Sequence, residues 1–450
     1  MREFLKQLTT AVAWATTEPH AMQAYRQDQC LIAEAGQPLA VVRPATVGEV
    51  VAVVDLCRTH AVPLVPRGAG TGLAGGANAL DGCVLLLLDA MDQILEIDQV
   101  AQSARVQPGV VNADLDKAAG EVGLWYAPDP GSRALSSIGG NVATNAGGMC
   151  CAKYGVTRDH ILALTAVLGT GEVLRTGTAT RKDVAGLDLK HLLIGSEGTL
   201  GVIVEATVRL RPRPQRLSTV AATFPTVQSA IDVVQAFGRE FNAAATELMD
   251  RTTVCAVNAM TQMGLDEAAG AVLIAQFDGA DASQQAERCA AMAEGAGAEA
   301  FATDDQDDGS ALMEARRAAL PSLERMGSTL LDDVCVTPHR LPALIDAIER
   351  IALSHGVTIG TFGHAADGNL HPTIVFDPAD DRQRVAAAAA FDAIIAAALD
   401  LGGTATGEHG VGSLKTPYIR RQVGDVGTSL MHRIKAAFDP SGILNPGRGY

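Results

Sequence analysis

The chain has 450 residues, 35 Lys and Arg against 51 Asp and Glu, and a formal net charge of -16. At about 150 residues per domain this length predicts two domains or three. A content of 48% hydrophobic and 19% charged residues excludes a disordered chain. So acidic a chain offers little to a phosphate backbone or to anionic lipid, so no nucleic-acid partner is expected.

The opening MREFLKQLTTAVAWATTEPH has a short, interrupted apolar run and no small-residue cleavage site. It is not expected to act as a secretory signal. No stretch approaches the ~18 consecutive apolar residues of a membrane span. The cysteines are Cys30, Cys57, Cys83, Cys150, Cys151, Cys255, Cys289 and Cys335, none in a CxxC spacing. The expectation is reduced thiols in a cytoplasmic protein, with neither a disulfide framework nor an iron–sulfur site.

Residues 47–61 place Val50, Val51, Val54, Leu56 and Cys57 near one face at helical spacing. Residues 64–66 read as a short strand that runs into the glycine-dense loop 67–78. Residues 84–91, VLLLLDAM, have strand length and enough apolar character to be buried on both faces. The block 131–149 is glycine-rich, with almost no large side chains, and reads as a loop. Residues 161–177 read as two strands around a Gly-Thr-Gly turn. Residues 193–214 open with a third glycine loop and continue as a strand. The run RPRPQR at 211–216 suits a linker, since two prolines in four residues stop regular structure. Beyond it, segments near 226–240, 284–296, 340–355 and 382–400 read as helices separated by short strands. The last of these meets Gly402-Gly403, a plausible helix stop. Residues 430–450 read as a helix followed by a Pro/Gly loop.

Arg67, Gly68, Ala69, Gly70, Thr71 and Gly72 follow a strand. Backbone amides crowd a pyrophosphate only where side chains are absent, which is what glycine provides. The formal match Gly70-x-Gly72-x-x-Gly75 is not a dinucleotide fingerprint of the Rossmann kind. That motif must open onto a helix, and residues 75–82 are turn-like and lead at once to a strand. A plain glycine-rich hairpin loop is the alternative for this segment alone. The second block, residues 138–148, would gain packing from a large flat ligand. Gly195-Ser196-Glu197-Gly198-Thr199-Leu200-Gly201 forms a third close-approach loop.

With these motifs in hand, the chain resembles the FAD-linked oxidase family of the vanillyl-alcohol-oxidase (PCMH) type, in its branch of D-2-hydroxyacid dehydrogenases. That branch includes D-lactate dehydrogenases, the glycolate oxidase flavoprotein subunit and D-2-hydroxyglutarate dehydrogenase. The resemblance rests on RPATVGEVVAVV (43–54), PRGAGTGLAGG (66–76), PDPGS with IGGNVATNAGG (128–148) and YGVTRD (154–159). It continues through IGSEGTLGVI (194–203), GHAADGNLHP (363–372), GEHGVG (407–412) and FDPSGILNPGR (438–448), in family order over nearly the whole chain. It implies an α+β fold: a two-subdomain FAD-binding domain over 1–215 and a substrate or cap domain over 216–410, with an antiparallel sheet flanked by helices. Residues 411–450 would return to the FAD domain. It implies FAD contacts at residues 67–72 (Arg67, Gly68, Ala69, Gly70, Thr71, Gly72), at Gly139, Gly140, Thr144 and Asn145, at Gly198 and Val202, and at Asn445. Residues 67–72 contain no histidine, so the FAD is expected to be non-covalent.

His364 and His371 flank Ala365-Ala366-Asp367-Gly368-Asn369-Leu370, whose Asp-Gly-Asn is strong turn chemistry. Residues 357–363 and 372–377 read as strands, so the two imidazoles can converge. Glu408-His409 lies in a second glycine-flanked turn. Two histidines and a carboxylate are a common catalytic divalent-metal set; a chance pair of histidines around a turn is the alternative. Some members of the branch bind a zinc-like ion with residues matching His364, His371 and Glu408. The resemblance implies hydride transfer from C2 of a 2-hydroxy acid to flavin N5. A metal would lower the hydroxyl pKa, and His409 would take the hydroxyl proton; an ordinary neighbour of the ligands is the plainer role for His409. Arg316 matches a substrate-carboxylate arginine, with Arg317 as the alternative. The family's tryptophan before that arginine is Met313 here. Leu331 falls near a lysine that D-2-hydroxyglutarate enzymes use. Both departures favour a small monocarboxylate such as D-lactate or glycolate over D-2-hydroxyglutarate. Electrons would leave to an electron-transfer flavoprotein, a cytochrome or a quinone, and separate partner subunits fit the resemblance. A non-redox flavoenzyme of the alkyl-dihydroxyacetone-phosphate-synthase kind and an electron-relay subunit are the competing readings.

Overall fold

A computed structural model of the chain describes residues 1–30, 32–180 and 182–450. The chain divides into two compact units. One holds residues 1–148, 155–213 and 408–450, and the other holds 149–154 and 214–407. Both mix helices with sheets, so the class is α+β. Among the described residues, no helix is long and apolar enough to cross a membrane.

The first unit carries two main sheets. In one, Ala40–Arg43 and Leu64–Arg67 lie parallel on either side of Val84–Leu87, with Trp14–Thr16 antiparallel at the edge. Parallel strands need a crossover, and the helix Val47–His60 supplies it. Thr46 caps that helix by accepting from the Glu49 amide at 3.2 Å. Its Val50, Val53, Val54 and Cys57 are buried, while Val51 and Leu56 are only partly so. Val84–Leu87 is buried at every position, as a strand covered on both faces must be. The other sheet is antiparallel, in the order Ile94–Asp98, Ser103–Val106, Val202–Arg209, Ile161–Val167, Val173–Gly177.

The second glycine block departs from the expected loop, because Ile138–Thr144 is helical. Glycine weakens helices, but here tertiary hydrogen bonds hold one. The Ser137 hydroxyl accepts from the Gly140 amide at 3.3 Å. The carbonyls of Val142 and Ala143 accept from the amides of Gly195 and Glu197 at 3.0 and 2.8 Å. Asn145 ends the helix in the left-handed region at φ 53°.

The second unit is built on an eight-stranded antiparallel sheet. The order is Glu299–Thr303, Leu217–Phe224, Ala271–Asp278, Ala245–Asp250, Thr358–His364, Asn369–Phe376, Ser328–Leu331, with Val334–Cys335 also pairing Asn369–Phe376. One face carries Met249, Val272, Ile274 and Phe362, packed with Val254, Val257, Met313, Ala319 and Leu323 from three helices. Those helices are Arg251–Thr261, Gln306–Arg317 and Ala319–Glu324. None of them was expected from periodicity, although Asp250 and Asp305 cap two of them through their side chains. The expected helices appear at Val227–Phe237, Ala282–Gly295, Leu341–His355 and Asp381–Asp400. The last is followed by Gly402 at φ 77°.

Candidate functional site

In the first unit the three glycine loops pack on one another. A Cβ on Gly68 would sit 2.5 Å from the Ser137 hydroxyl and 3.6 Å from Gly140 Cα. A Cβ on Gly70 (φ 73°) would overlap the Arg67 guanidinium. Arg67 is buried and folds back under its own loop, donating to the carbonyls of Gln27 and Ala77 at 2.9 and 3.3 Å. It pins the loop from below. Gly139 faces Pro108, 2.5 Å from a Cβ placed on it. The Thr144 hydroxyl donates to the Gly140 carbonyl at 3.2 Å, and Asn145 Oδ1 accepts from the Arg158 amide at 2.9 Å. Gly198 adopts φ 74° against Pro66, and the Val202 side chain lies in the apolar core.

Two residues tie the loops together. Asn445 Nδ2 donates to the Gly76 carbonyl at 2.9 Å and to the Glu197 carbonyl at 2.7 Å. Glu197 is buried at φ 52° and accepts from the amides of Val411 and Gly412 at 2.6 and 2.8 Å. Burial pushes its carboxyl pKa up, against the pull of those two amides. The segment 408–414 thus lies on the first loop, where the amides of Ser413 and Leu414 also reach the Ala74 carbonyl. Glu408 rests against Gly147, where a Cβ would displace its carboxylate, and His409 Nε2 is 3.8 Å from Glu408 Oε1. Ser136 Oγ, Asn445 Oδ1 and Arg448 Nε are buried around these loops and have no hydrogen-bond partner among the described residues. Such atoms ordinarily find one, so a polar ligand fits here.

In the second unit the pleat itself assembles the site. Side chains of paired residues point to the same face, and register pairs Glu247 with His364 and His364 with Asn369. The adjacent row pairs Met249 with Phe362 and Phe362 with His371. His364 and His371 are therefore diagonal neighbours on one face. Their Nε2 atoms lie 3.4 Å apart. Two nitrogens on one tetrahedral zinc-class ion, each at about 2.0–2.1 Å, would stand about 3.3–3.4 Å apart. The pair thus fits such an ion.

Glu247 is fully buried and lies between His364 and Arg316. Its Oε1 lies 2.7 Å from His364 Nδ1 and its Oε2 lies 2.7 Å from Arg316 Nε. Burial opposes its charge, but His364 and Arg316 outweigh burial and hold the carboxyl below its ordinary pKa. With Nδ1 committed to a carboxylate, the His364 lone pair is left on Nε2, the nitrogen a metal would use. Arg316 is itself buried and stacks over the Phe362 ring at 4.6 Å. Arg317 instead pairs with Glu314 on an exposed surface. Met313, one turn before Arg316, is buried in the apolar cluster. Leu331 pairs with Thr373, two residues from His371 on the same face.

Sequence reasoning missed Glu247 and Asp333. Asp333 is fully buried, and its Oδ1 lies 3.9 Å from His371 Nδ1. A single carboxylate inside the apolar strand AATELM was the available signal for Glu247, since a buried charge needs a partner. The pair Asp332-Asp333 between two short strands was the signal for the other.

Comparison with known proteins adds the following. The model described as "FAD binding domain" matches residues 38–177, and that described as "FAD linked oxidases, C-terminal domain" matches 213–448. The glycolate oxidase subunit GlcD of Bacillus subtilis (strain 168) is 41% identical over 91% of this chain and 88% of its own length. A D-lactate dehydrogenase of Anaerostipes hadrus is 35% identical over 94% and 92%. The structure of p-cresol methylhydroxylase superposes with a TM-score of 0.85 at 18% identity, covering 100% of this chain and 96% of that one. That likeness shows a shared fold.

Proposed function

Since this chain belongs to the FAD-linked oxidase family, we propose that it oxidises a small D-2-hydroxy acid, D-lactate or glycolate, to the 2-oxo acid. The observation that carries this reading is the buried row Glu247–His364–His371 on one sheet face, with Arg316 reaching Glu247 from the helix Gln306–Arg317. Two relatives acting on such acids by name support it. Non-covalent FAD, when bound, supplies a hydride acceptor, and a divalent ion, zinc by preference, supplies a Lewis acid for the substrate hydroxyl.

The chain's own residues do the rest. The first-unit loops hold the FAD, with Ser136, Asn445 and Arg448 offering it their unpartnered polar atoms. His364 and His371 would hold the ion through Nε2, with Glu408 as the third ligand that the family resemblance implies. Arg316 is ion-paired with Glu247 on its Nε side and would offer its terminal N–H groups to the substrate carboxylate. His409 would accept the hydroxyl proton, a task suited to imidazole chemistry. Leu331, apolar beside His371, offers nothing to a second carboxylate. That favours a monocarboxylate over D-2-hydroxyglutarate. The electron acceptor would be an electron-transfer flavoprotein, a cytochrome or a quinone.

The test is an anaerobic absorbance titration with D-lactate, L-lactate, glycolate and D-2-hydroxyglutarate, with and without EDTA. Bleaching of the flavin band by D-lactate or glycolate, slowed by EDTA, is the expected result. A bound flavin that no acid reduces would overturn the reading in favour of a non-redox flavoenzyme or a relay subunit.

A further inference from the structure

Each imidazole of the pair has a carboxylate on its outer flank. For His364 it is Glu247, its partner across the strand pair. For His371 it is Asp333. Leu331 pairs with Thr373 and Val334 with Leu370, so the register between them sets Asp333 opposite His371. The regular ladder is interrupted at that point because Pro372 has no N–H to return. The Asp332 amide still donates to the Pro372 carbonyl at 2.8 Å. In the gap Asp333 turns into a hub. Its Oδ1 accepts from Asn369 Nδ2 at 2.8 Å, and its Oδ2 accepts from the Thr406 hydroxyl at 2.7 Å and the Gly407 amide at 2.8 Å.

We propose that Asp333 is a positioning residue that holds His371 in the orientation presenting Nε2 to a metal, and fixes the start of the turn that leads into Glu408. The proposal rests on the metal reading given above. A fully buried carboxylate is costly unless hydrogen-bonded, and three donors satisfy Asp333 while it faces His371 Nδ1 at 3.9 Å. Its negative charge favours the Nδ1–H tautomer, which leaves the Nε2 lone pair for coordination. Glu247 holds His364 by a hydrogen bond at 2.7 Å, a closer contact than the 3.9 Å across which Asp333 faces His371. Loss of such a partner ordinarily costs about 10–100-fold in metal affinity.

The experiment measures Zn2+ affinity of the flavin-loaded protein by competition with a chromophoric chelator, with flavin absorbance and far-UV circular dichroism as checks on the fold. Asp333→Asn is expected to bind zinc about 10–100-fold more weakly with its flavin retained. Thr406→Val, which removes one anchor of the turn and no charge, is expected to stay within about threefold of the parent, and Asp333→Glu to recover part of the loss. Wild-type affinity in Asp333→Asn, alongside a large loss in His371→Ala, would overturn the proposal and leave the metal site standing. Unchanged affinity in His371→Ala as well would instead remove the metal reading. A variant that does not fold leaves a measurement on the parent protein. Ring-nitrogen NMR of 15N-histidine protein is expected to show His371 protonated at Nδ1 and shifted by zinc at Nε2. Zinc on Nδ1 would refute the role given to Asp333.

Discussion

In the first unit the candidate cofactor cradle is made by leaving side chains out. Gly68, Gly76 and Gly412 stand where a Cβ would strike a neighbouring loop, and many of the polar contacts between loops involve backbone groups. In the second unit the candidate substrate site is made by putting polar and charged side chains in. Glu247, His364 and His371 are buried on a sheet face otherwise filled by Met249, Ile274 and Phe362, and Arg316 reaches it from the helix Gln306–Arg317. The difference teaches where each half is fragile. Close backbone approach fails by collision, whereas a buried charge row fails by loss of balance, since one member removed leaves another uncompensated. Damage to the cradle should take the flavin away; damage to the row should leave the flavin in place and idle.

Glu247→Gln tests the second half and carries the largest expected effect. Glutamine keeps the size but drops the charge, and turns an amide donor toward Arg316 or His364. Breaking a buried pair costs about 3–5 kcal/mol, which corresponds to roughly 10²–10⁴-fold in rate if it falls on the reacting state. Stopped-flow reduction of the bound flavin by D-lactate or glycolate should slow by that factor at unchanged flavin content. A variant that reduces its flavin at the parent rate would show that the row is structural only.

Gly412→Ala tests the first half. Gly412 sits at φ 53°, its amide donates to Glu197 Oε2 at 2.8 Å, and a Cβ there would overlap the Ala74 carbonyl oxygen. A backbone carbonyl cannot step aside as a flexible side chain can. An overpacking cost of about 1–3 kcal/mol is expected, shared between stability and the first loop. The purified variant should lose most of its flavin on desalting and melt several degrees lower, with the second unit's fold intact by circular dichroism. Retention of stoichiometric flavin would mean that the cradle tolerates displacement of segment 408–414.

How much of this was readable in advance follows from the range of each signal. The helix Val47–His60, the strand Val84–Leu87 and the hairpin around Asp367-Gly368-Asn369 are written in local periodicity and turn chemistry, and appear as expected. Sequence spacing suggested that His364 and His371 could converge, and the register brings them to 3.4 Å. Glu247 lies 117 residues before His364, and nothing local says which strands pair or in which register. The helix Ile138–Thr144 was hidden for a related reason, because its stability comes from hydrogen bonds to the third loop and not from helix propensity. The caps Asp250 and Asp305 were readable signals for two helices, masked by weak apolar periodicity after them.

The smallest expected effect sharpens the comparison within a single strand. Asp250 lies three residues after Glu247 and, unlike it, forms no ion pair among the described residues. Its Oδ1 accepts from the Thr253 amide at 2.8 Å and its Oδ2 from the Thr361 amide at 2.9 Å. Burial outweighs these donors and pushes its carboxyl up to about 6. The folded state thus binds this proton more tightly than the unfolded chain, whose aspartates titrate near 3.9. The resulting stabilisation is fully present below about 4 and is lost as pH rises through about 6. It is worth on the order of 2–3 kcal/mol. Asp250→Asn stays neutral throughout and gives up one acceptor, at a cost of about 1 kcal/mol. In urea unfolding it should be less stable than the parent at pH 4.5 and equal or more stable at pH 7. A difference between the two proteins that does not change with pH would mean that Asp250 is already ionised across this window. In that case the backbone donors alone would balance a buried charge as well as His364 and Arg316 do for Glu247, and the contrast between the two carboxylates would collapse.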